Sequence, residues 1–482
     1  MNLNTTTCYA ALQGRDARFD GVFFTAVKTT GIYCRPVCPA RTPAFSSCAF
    51  YPTASAAEVA GFRPCLRCRP ELAPGCQGGS LAEAVLHRLQ ERAVEGIRLE
   101  DLEHELGLSS RQVRRLLQSA FGVTPLQVIQ TQRLLMAKQL LQETAQPVSE
   151  IALAAGFRSL RAFNALFKER YHLAPSACRK QNSKPKNEDG IRLRLSYRAP
   201  LAWDTLMEYF RSRLVPGVEE IEGREYRRTV ALGSACGWMR VWPQENEDVL
   251  VVEVSPALTR QLGAVQSRVR RMFDLDARPD AILSVLGDDP LLAPVFRRCP
   301  GLRVGGAWDT FELAVRAVLG QQITVTAATT LSGRLAARTG ALIETPFNNL
   351  HRLAITPEAL EKLTVDDLCS LGLVKARALA LLHLAVTARA GGLDFPPGLD
   401  HEAAVARLVA LPGIGPWTAH YIAMRALRFP DAFPAADLGL RKAIGQGEMV
   451  STSVAESRSA AWRPWRAYAA AALWKSLTPT SP

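Results

Sequence analysis

Apolar positions change their period along this 482-residue chain, and each change marks an expected structural boundary. Between Leu81 and Arg179, leucine and alanine recur every three or four residues among arginines and glutamates, a pattern that predicts helices. Arg179–Asp189 (RKQNSKPKNED) has almost no apolar residue and reads as a linker. Beyond it Arg192-Leu193-Arg194-Leu195 alternates strictly, and Val249–Val254 is β-branched. Gly237–Trp242 reads as another strand, and a helix bearing Leu206, Met207 and Phe210 lies between the first strands. This predicts an antiparallel sheet with helices on one face. From Phe311 helical spacing runs on to the end, punctuated by Leu411–Pro416 (LPGIGP). Residues 1–78 differ: Phe23–Val27 reads as a strand, Ala54–Ala60 as a short helix, and a core this small needs a staple.

Composition adds a partner. With 48% hydrophobic and 21% charged residues, the chain has the make-up of soluble globular domains rather than of disorder. Its net charge of +13 favours a polyanion, of which nucleic acid is the commonest. That excess is not a tail: lysine and arginine outnumber acids by 8 to 4 in residues 1–80, 16 to 12 in 81–190 and 34 to 29 beyond. The start, MNLNTTTCYAALQGRD, lacks a signal-peptide pattern, and no run approaches the ~18 apolar residues of a membrane span. Seven of the 11 cysteines are scattered singly, which argues against a secreted disulfide scaffold and for a reducing cytoplasm.

The other four cysteines form two pairs, Cys34/Cys38 and Cys65/Cys68. C-x3-C followed by C-x2-C is a zinc spacing, because two ligands a few residues apart reach one ion from a single turn. Arg35, Arg41, Arg63, Arg67 and Arg69 surround them. Such a site either only holds a fold together or also exposes one sulfur as a nucleophile. TTGIYCRPVCPAR (Thr29–Arg41) and GFRPCLRCRP (Gly61–Pro70) resemble the zinc-binding N-terminal domain of the Ada family of alkylation-response proteins, over about 75 residues. The resemblance implies one Zn²⁺ on Cys34, Cys38, Cys65 and Cys68. It also implies that Cys34 accepts a methyl group from a DNA methylphosphotriester, with Arg35, Arg41 and Arg67 facing DNA.

Two helix-turn-helix units follow. Leu99–Leu106 reads as a helix, Gly107-Leu108-Ser109 as a turn, and Ser110 as the cap of a second helix, Arg111–Phe121. That helix turns Val113, Leu116 and Leu117 inward and leaves Arg111, Arg114 and Arg115 outside. A long helix (Pro125–Leu141) leads to the next unit, from Val148 through Gly156, whose second helix near Leu160–Arg170 exposes Arg161 and Asn164. With IALAAGF and FNALFKERYHLAP, this stretch resembles the AraC family of DNA-binding regulators. The resemblance implies two recognition helices in successive major grooves of a promoter, and RNA polymerase as a further partner.

LPGIGPWTAHYIAMRAL (Leu411–Leu427) packs two glycines and two prolines between apolar helices, a hairpin whose amides can hold a phosphate. Twenty residues beyond Trp417 stands Asp437 in FPAADLGL, which on its own reads as a helix cap. Together they resemble the helix-hairpin-helix DNA glycosylases. The half from about residue 191 resembles the AlkA family of 3-methyladenine DNA glycosylases II through LVPGVEEIEGREYRR, FELAVRAVLGQQITV and WRPWRAYAAAALW. The resemblance implies a catalytic Asp437, a base pocket lined by Trp417, Tyr421, Trp474 and Tyr209, and DNA backbone contacts at Gly413 and Gly415. It also implies a monovalent cation on the carbonyls of Val409, Leu411 and Gly413. Trp417 occupies the place of the Schiff-base lysine, so hydrolysis without strand cutting is expected. Cys369 is the last cysteine, so no iron–sulfur cluster is expected. Gln322, beside Gln321, stands where the family places a leucine wedge. No PCHR motif occurs, so a domain reversing O6-methylguanine is not expected.

The expected whole is a multidomain, mainly α protein with an α+β part. A zinc domain (1–78) precedes a double helix-turn-helix domain (80–180), an antiparallel α+β domain (190–302) and an all-α helix-hairpin-helix domain (303–482). It is expected to be a monomer that binds double-stranded DNA and no membrane.

Overall fold

A computed structural model describes residues 4–75, 80–94, 107–179, 190–395 and 400–477. The N-terminal unit is a four-stranded sheet, ordered β3-β1-β2-β4, from Phe24–Val27 (β1), Ile32–Cys34 (β2), Cys48–Tyr51 (β3) and Arg63–Pro64 (β4). β2 pairs antiparallel with β1 and parallel with β4. Phe24, Ala26 and Tyr33 pack beneath it against Ala54 and Ala57 of the helix Ala54–Val59. Leu135, from a helix far along the chain, completes this core.

That helix is Pro125–Glu143, which starts with Pro at its first turn and a capping box of Thr124 with Gln127. It is buried on nearly every side, including the polar Thr131, Lys138, Gln139 and Gln142. Three of these bond across to other elements. Thr131 Oγ1 donates to Glu58 at 2.8 Å, Lys138 Nζ to Glu71 at 2.6 Å, and Gln139 Nε2 to the carbonyl of Arg194 at 3.0 Å. One helix therefore bonds to the N-terminal unit and to the following sheet at once.

The helix Ser110–Phe121 is capped by Ser109, not by Ser110 as expected. The Ser109 backbone is extended, and its Oγ accepts from Gln112 N while the Gln112 side chain returns to Ser109 N. Val113 and Leu117 are buried, Leu116 partly so, and Arg111, Arg114 and Arg115 are exposed. Leu160–Tyr171, capped by Ser159, buries Phe163, Phe167 and Tyr171 and exposes Arg161 and Asn164. The expected helix Leu99–Leu106 lies outside the described residues.

Ile191–Ser196 (β5), Glu219–Glu222 (β6), Glu225–Leu232 (β7), Ala235–Pro243 (β8) and Val249–Val254 (β9) form an antiparallel sheet ordered β5-β9-β8-β7-β6. All six residues of β9 are buried, in keeping with its place between β5 and β8. The helices Trp203–Arg211 and Leu262–Met272 pack on this sheet through Leu206, Met207, Phe210, Val265 and Val269.

Two features depart from the expected division of the chain. Ile151, Phe163, Phe167 and Tyr171 share one continuous core with Leu193, Val252 and Val265 of the sheet unit. The segment Arg179–Asp189 therefore joins units that are packed together, and helix Val148–Ala154 sits against the turn Pro256–Gln261. Residues from Ala277 to Leu302, placed with the sheet by sequence, bury Ile282, Leu286 and Phe296 in the C-terminal helical core instead. Their helices, Pro279–Leu286 and Ala293–Arg298, turn their apolar faces to that core and not to the sheet.

A buried polar junction locks the N-terminal unit to the sheet unit. The Arg198 guanidinium donates to the carbonyls of Asp20 at 2.7 Å, Asp276 at 3.0 Å and Pro74 at 3.4 Å. Asp276 also accepts from Gly75 N at 2.6 Å and pairs with Arg270. Among the described residues no helix is long and apolar enough to cross a membrane.

Candidate metal centre and candidate active site

Strand register assembles the cysteines. Cys34 ends β2, and Cys65 follows β4, whose parallel pairing with β2 is continued by a bond from Cys65 N to Tyr33 O at 3.0 Å. Tight turns bring round Cys38 and Cys68, so the four sulfurs lie within 4.8 Å of one another. Backbone N–H groups of Arg35 and Arg67 donate to Cys68 Sγ at 3.3 Å and Cys65 Sγ at 3.4 Å. Such donors suit sulfur anions. Bonding among the thiols, from Cys38 first, pushes the Cys34 thiol well up, while bonding from Cys34 brings Cys38 down to about 7. Four crowded thiols cannot all ionise against each other. A tetrahedral dication removes that conflict, so this donor set fits one Zn²⁺.

The four are not equivalent: Cys38, Cys65 and Cys68 are buried, whereas Cys34 is partly open to solvent. Of the arginines expected to face DNA, Arg41 and Arg67 are exposed. Arg35 is not. Its side chain is only 11% exposed, donates to Asp20 through Nε at 2.9 Å and to the Cys68 carbonyl at 3.2 Å, and so braces the cluster from within.

In the C-terminal unit the hairpin Leu411–Pro416 enters the helix Pro416–Arg425. Gly413 is at φ +82°, and a Cβ there would meet the Ala380 Cβ at 2.3 Å, so only glycine fits. Gly415 is the helix N-cap with open space around it. The carbonyls of Leu411 and Gly413 already accept, from Ile414 N at 3.1 Å and Gln321 Nε2 at 2.8 Å, leaving a cation only their remaining lone pairs. Gln321 thus clamps the hairpin.

Asp437 caps a helix, as its sequence context suggested, and its carboxylate also faces a cavity. Its Oδ1 caps the helix Leu438–Ile444 by accepting from Leu440 N at 3.0 Å. The same oxygen accepts from Trp474 Nε1 at 2.9 Å, and Oδ2 accepts from Trp417 Nε1 at 2.8 Å. A cap alone needs no indoles. Tyr209, Trp417, Tyr421, Trp474 and Asp437 all line one cavity of about 560 Å³, a size suited to a small organic ligand. Trp417 stacks on Tyr421 at 5.3 Å and 14°, and Trp474 meets Tyr421 edge-on at 6.4 Å.

Arg425 was not among the residues the sequence singled out. Its guanidinium lies 4.1 Å from the Tyr209 ring centroid, 5.1 Å from that of Tyr421 and 5.4 Å from that of Trp474. Arg213 lies over Tyr209 at 4.3 Å. Three rings of the cavity, Tyr209, Tyr421 and Trp474, therefore already carry a guanidinium, and Trp417 carries none. The signal was present in the spacing: Trp417, Tyr421 and Arg425 recur every four residues on one helix face. Burial opposes ionisation of Tyr421, but Arg425 and then Arg213 outweigh it and bring the phenol down to about 8. Burial pushes Tyr209, whose hydroxyl lies 3.3 Å from that of Tyr421, up to about 12.

Comparison with known proteins places these sites in a family. Residues 7–71 match the metal binding domain of Ada and 102–181 a helix-turn-helix domain. Residues 192–309 match the AlkA N-terminal domain and 315–467 the HhH-GPD superfamily of base excision DNA repair proteins. A probable bifunctional transcriptional activator/DNA repair enzyme AlkA of Mycobacterium tuberculosis is 39% identical over 98% of this chain and 96% of its own length. The chain belongs to the family of Ada/AlkA fusions. Its C-terminal half is also similar to DNA-3-methyladenine glycosylase 2 of Escherichia coli, 31% identical over 58% of this chain and 95% of that one. The solved 3-methyladenine DNA-glycosylase of Archaeoglobus fulgidus superposes with a TM-score of 0.53 at 25% identity, over 58% of this chain and 97% of its own. This Ada/AlkA fusion thus joins a zinc-binding unit, a DNA-binding helix-turn-helix unit and a DNA glycosylase.

Proposed function

We propose that this fusion reads alkylation of the DNA backbone at Cys34 and removes alkylated purines at Asp437. The observation that carries the second half is the Asp437 carboxylate, held by two indole N–H donors on the wall of an aromatic cavity. A purine turned out of the duplex enters beside the Trp417–Tyr421 stack. As its glycosidic bond lengthens, positive charge grows on the sugar, and the fixed carboxylate stabilises it. Water adds at C1′, the base leaves, and an abasic site remains. Purines methylated at N3 or N7 are cationic while attached and neutral once released. Arg213 and Arg425 raise the energy of the attached cation and relax as it becomes neutral, so they favour bond breaking over binding.

A Zn²⁺ held by Cys34, Cys38, Cys65 and Cys68 would keep their sulfurs deprotonated at neutral pH. Cys34 Sγ, the partly open one, attacks the methyl carbon of a phosphotriester. The carbon–oxygen bond breaks, a phosphodiester leaves, and the sulfur becomes a thioether. With a dication held there, methylation of Cys34 would take the net charge of the site from −2 to −1 and so weaken its repulsion of DNA. The exposed Arg111, Arg114, Arg115, Arg161 and Asn164 then contact a promoter as a cytoplasmic monomer working with RNA polymerase.

One incubation tests both halves. Duplex DNA treated with a methylating agent is expected to lose 3-methyladenine and 7-methylguanine to the supernatant. The Cys34 peptide should gain about 14 Da, one methyl in place of one hydrogen. Absence of free bases overturns the glycosylase assignment; an unmodified Cys34 overturns the sensor assignment.

A further inference from the structure

We infer that the cysteine cluster regulates how tightly the base cavity holds DNA, through a buried polar chain that joins the two; the inference rests on the cavity reading above. One wall of the cavity is the irregular segment 302–306, which supplies Leu302, Arg303 and Gly305 to it. That segment lies hard against Tyr209, since a Cβ on Gly305 would meet the Tyr209 ring at 2.7 Å. The Gly305 carbonyl accepts from Arg425 at 2.6 Å, and Gly306 N donates to the Met272 carbonyl at 2.8 Å. In so close-packed a wall, small shifts of the segment reach the rings that face a flipped base.

Arg303 anchors the segment from behind. Its buried guanidinium donates to the carbonyls of Arg198 at 2.7 Å and Gly301 at 3.0 Å, and among the described residues it forms no salt bridge. A buried cation held by carbonyls depends on where those carbonyls stand. Arg198 itself donates to the Asp20 carbonyl at 2.7 Å. The Asp20 carboxylate pairs with Arg35, whose guanidinium donates to the Cys68 carbonyl at 3.2 Å and whose backbone N–H donates to Cys68 Sγ at 3.3 Å. Arg35, Asp20, Arg198 and Arg303 thus run without a gap from a metal ligand to the cavity wall. Asp20, Arg198 and Arg303 are each no more than 5% exposed, so solvent screens these links little. The sulfurs beside Arg35 attract its cation, and loss of the metal or of negative charge there slackens the first link. The grip of the cavity is then strongest with the cluster intact. Linkage makes the effect mutual: DNA seated in the cavity stills the segment and tightens the cluster.

The test follows the cluster while the cavity is filled. Full-length protein carrying zinc is saturated with a duplex containing one tetrahydrofuran abasic analogue, or with the same duplex lacking it, and the metal is titrated away with a chelating dye. Affinities for the two duplexes are measured alongside. The analogue should bind more tightly, and zinc should be held about fivefold more tightly with it than with the plain duplex, the lower end of ordinary coupling between sites. Arg303→Gln cuts the chain at the cavity, and Asp20→Asn weakens it at the cluster while keeping the Asp20 carbonyl. Each should bring the two zinc affinities to within about twofold, and if one variant melts early the other carries the comparison. Lys28→Gln removes an exposed charge from the same unit and should leave the difference in place. Equal zinc affinities in a wild type that prefers the analogue, or an undiminished difference in the chain variants, overturn the inference alone. No preference for the analogue overturns the cavity reading and the inference with it.

Discussion

Replacing Asp437 by Asn exchanges one oxygen for an NH2 group and separates charge from shape. At the cavity wall a carboxylate about 4 Å from the developing sugar cation contributes about 4 kcal/mol at an effective dielectric constant near 20. The amide forfeits this, which corresponds to a rate loss of about 10³. The fold should suffer less. Oxygen placed at the present Oδ1 position keeps the bonds from Trp474 Nε1 and Leu440 N, and the new NH2 then faces Trp417 Nε1, donor against donor at 2.8 Å. Losing that one charged hydrogen bond costs about 1.5–3 kcal/mol. Single-turnover release of 7-methylguanine from an alkylated duplex, with thermal melts alongside, measures both. Trp417→Phe is the control, since it deletes the same hydrogen bond while keeping the anion, and it should lose no more than about tenfold. If Asp437→Asn stays within tenfold of wild type, or Trp417→Phe loses as much as Asp437→Asn, charge at Asp437 is not what drives the reaction.

Chelation is expected to melt the N-terminal unit first, because its apolar clusters are small, Phe24, Ala26, Tyr33, Ala54, Ala57 and Leu135 in one and Cys8, Ala11 and Phe23 in the other; loss of one zinc per chain by elemental analysis with unchanged far-ultraviolet dichroism would contradict this. Tyr421, at about 8 against an ordinary 10, should show tyrosinate absorbance rising around pH 8, and Tyr421→Phe should erase that step. Its folded value is depressed, so its contribution to stability is full above pH 10, shrinks as pH falls from 10 to 8, and is gone below; a urea series across that window reads the sign. Arg198→Met strands three buried carbonyls at the junction and should cost about 3 kcal/mol or more, splitting one thermal transition into two, whereas a single unshifted transition would show the junction to be inert.

Local elements were largely legible. Val249–Val254 is a strand over the full expected range, and the helices beginning at Pro125 and Leu160 start where the pattern said, because β-branching, proline and helical period act over neighbours. Ser109 taking the cap from Ser110 was a one-residue contest that local pattern cannot settle. What escaped were pairings across distance. Arg35 read as a surface cation, since its partner Asp20 lies 15 residues away and only the fold brings it near. Arg425 looks like an interruption of an apolar helix until the fold sets Tyr209, from a distant helix, beneath it. The merging of cores was invisible for the same reason, as an apolar face does not announce which neighbour will cover it.

The helix Pro125–Glu143 is wrapped by three units along its length. A chain cut at residue 190 would divide one apolar core, baring Leu140 and Ile151 on one fragment and Leu193, Val252 and Val265 on the other. Fusion here has therefore become a commitment: sensor and repair enzyme must be made, folded and degraded in equal number.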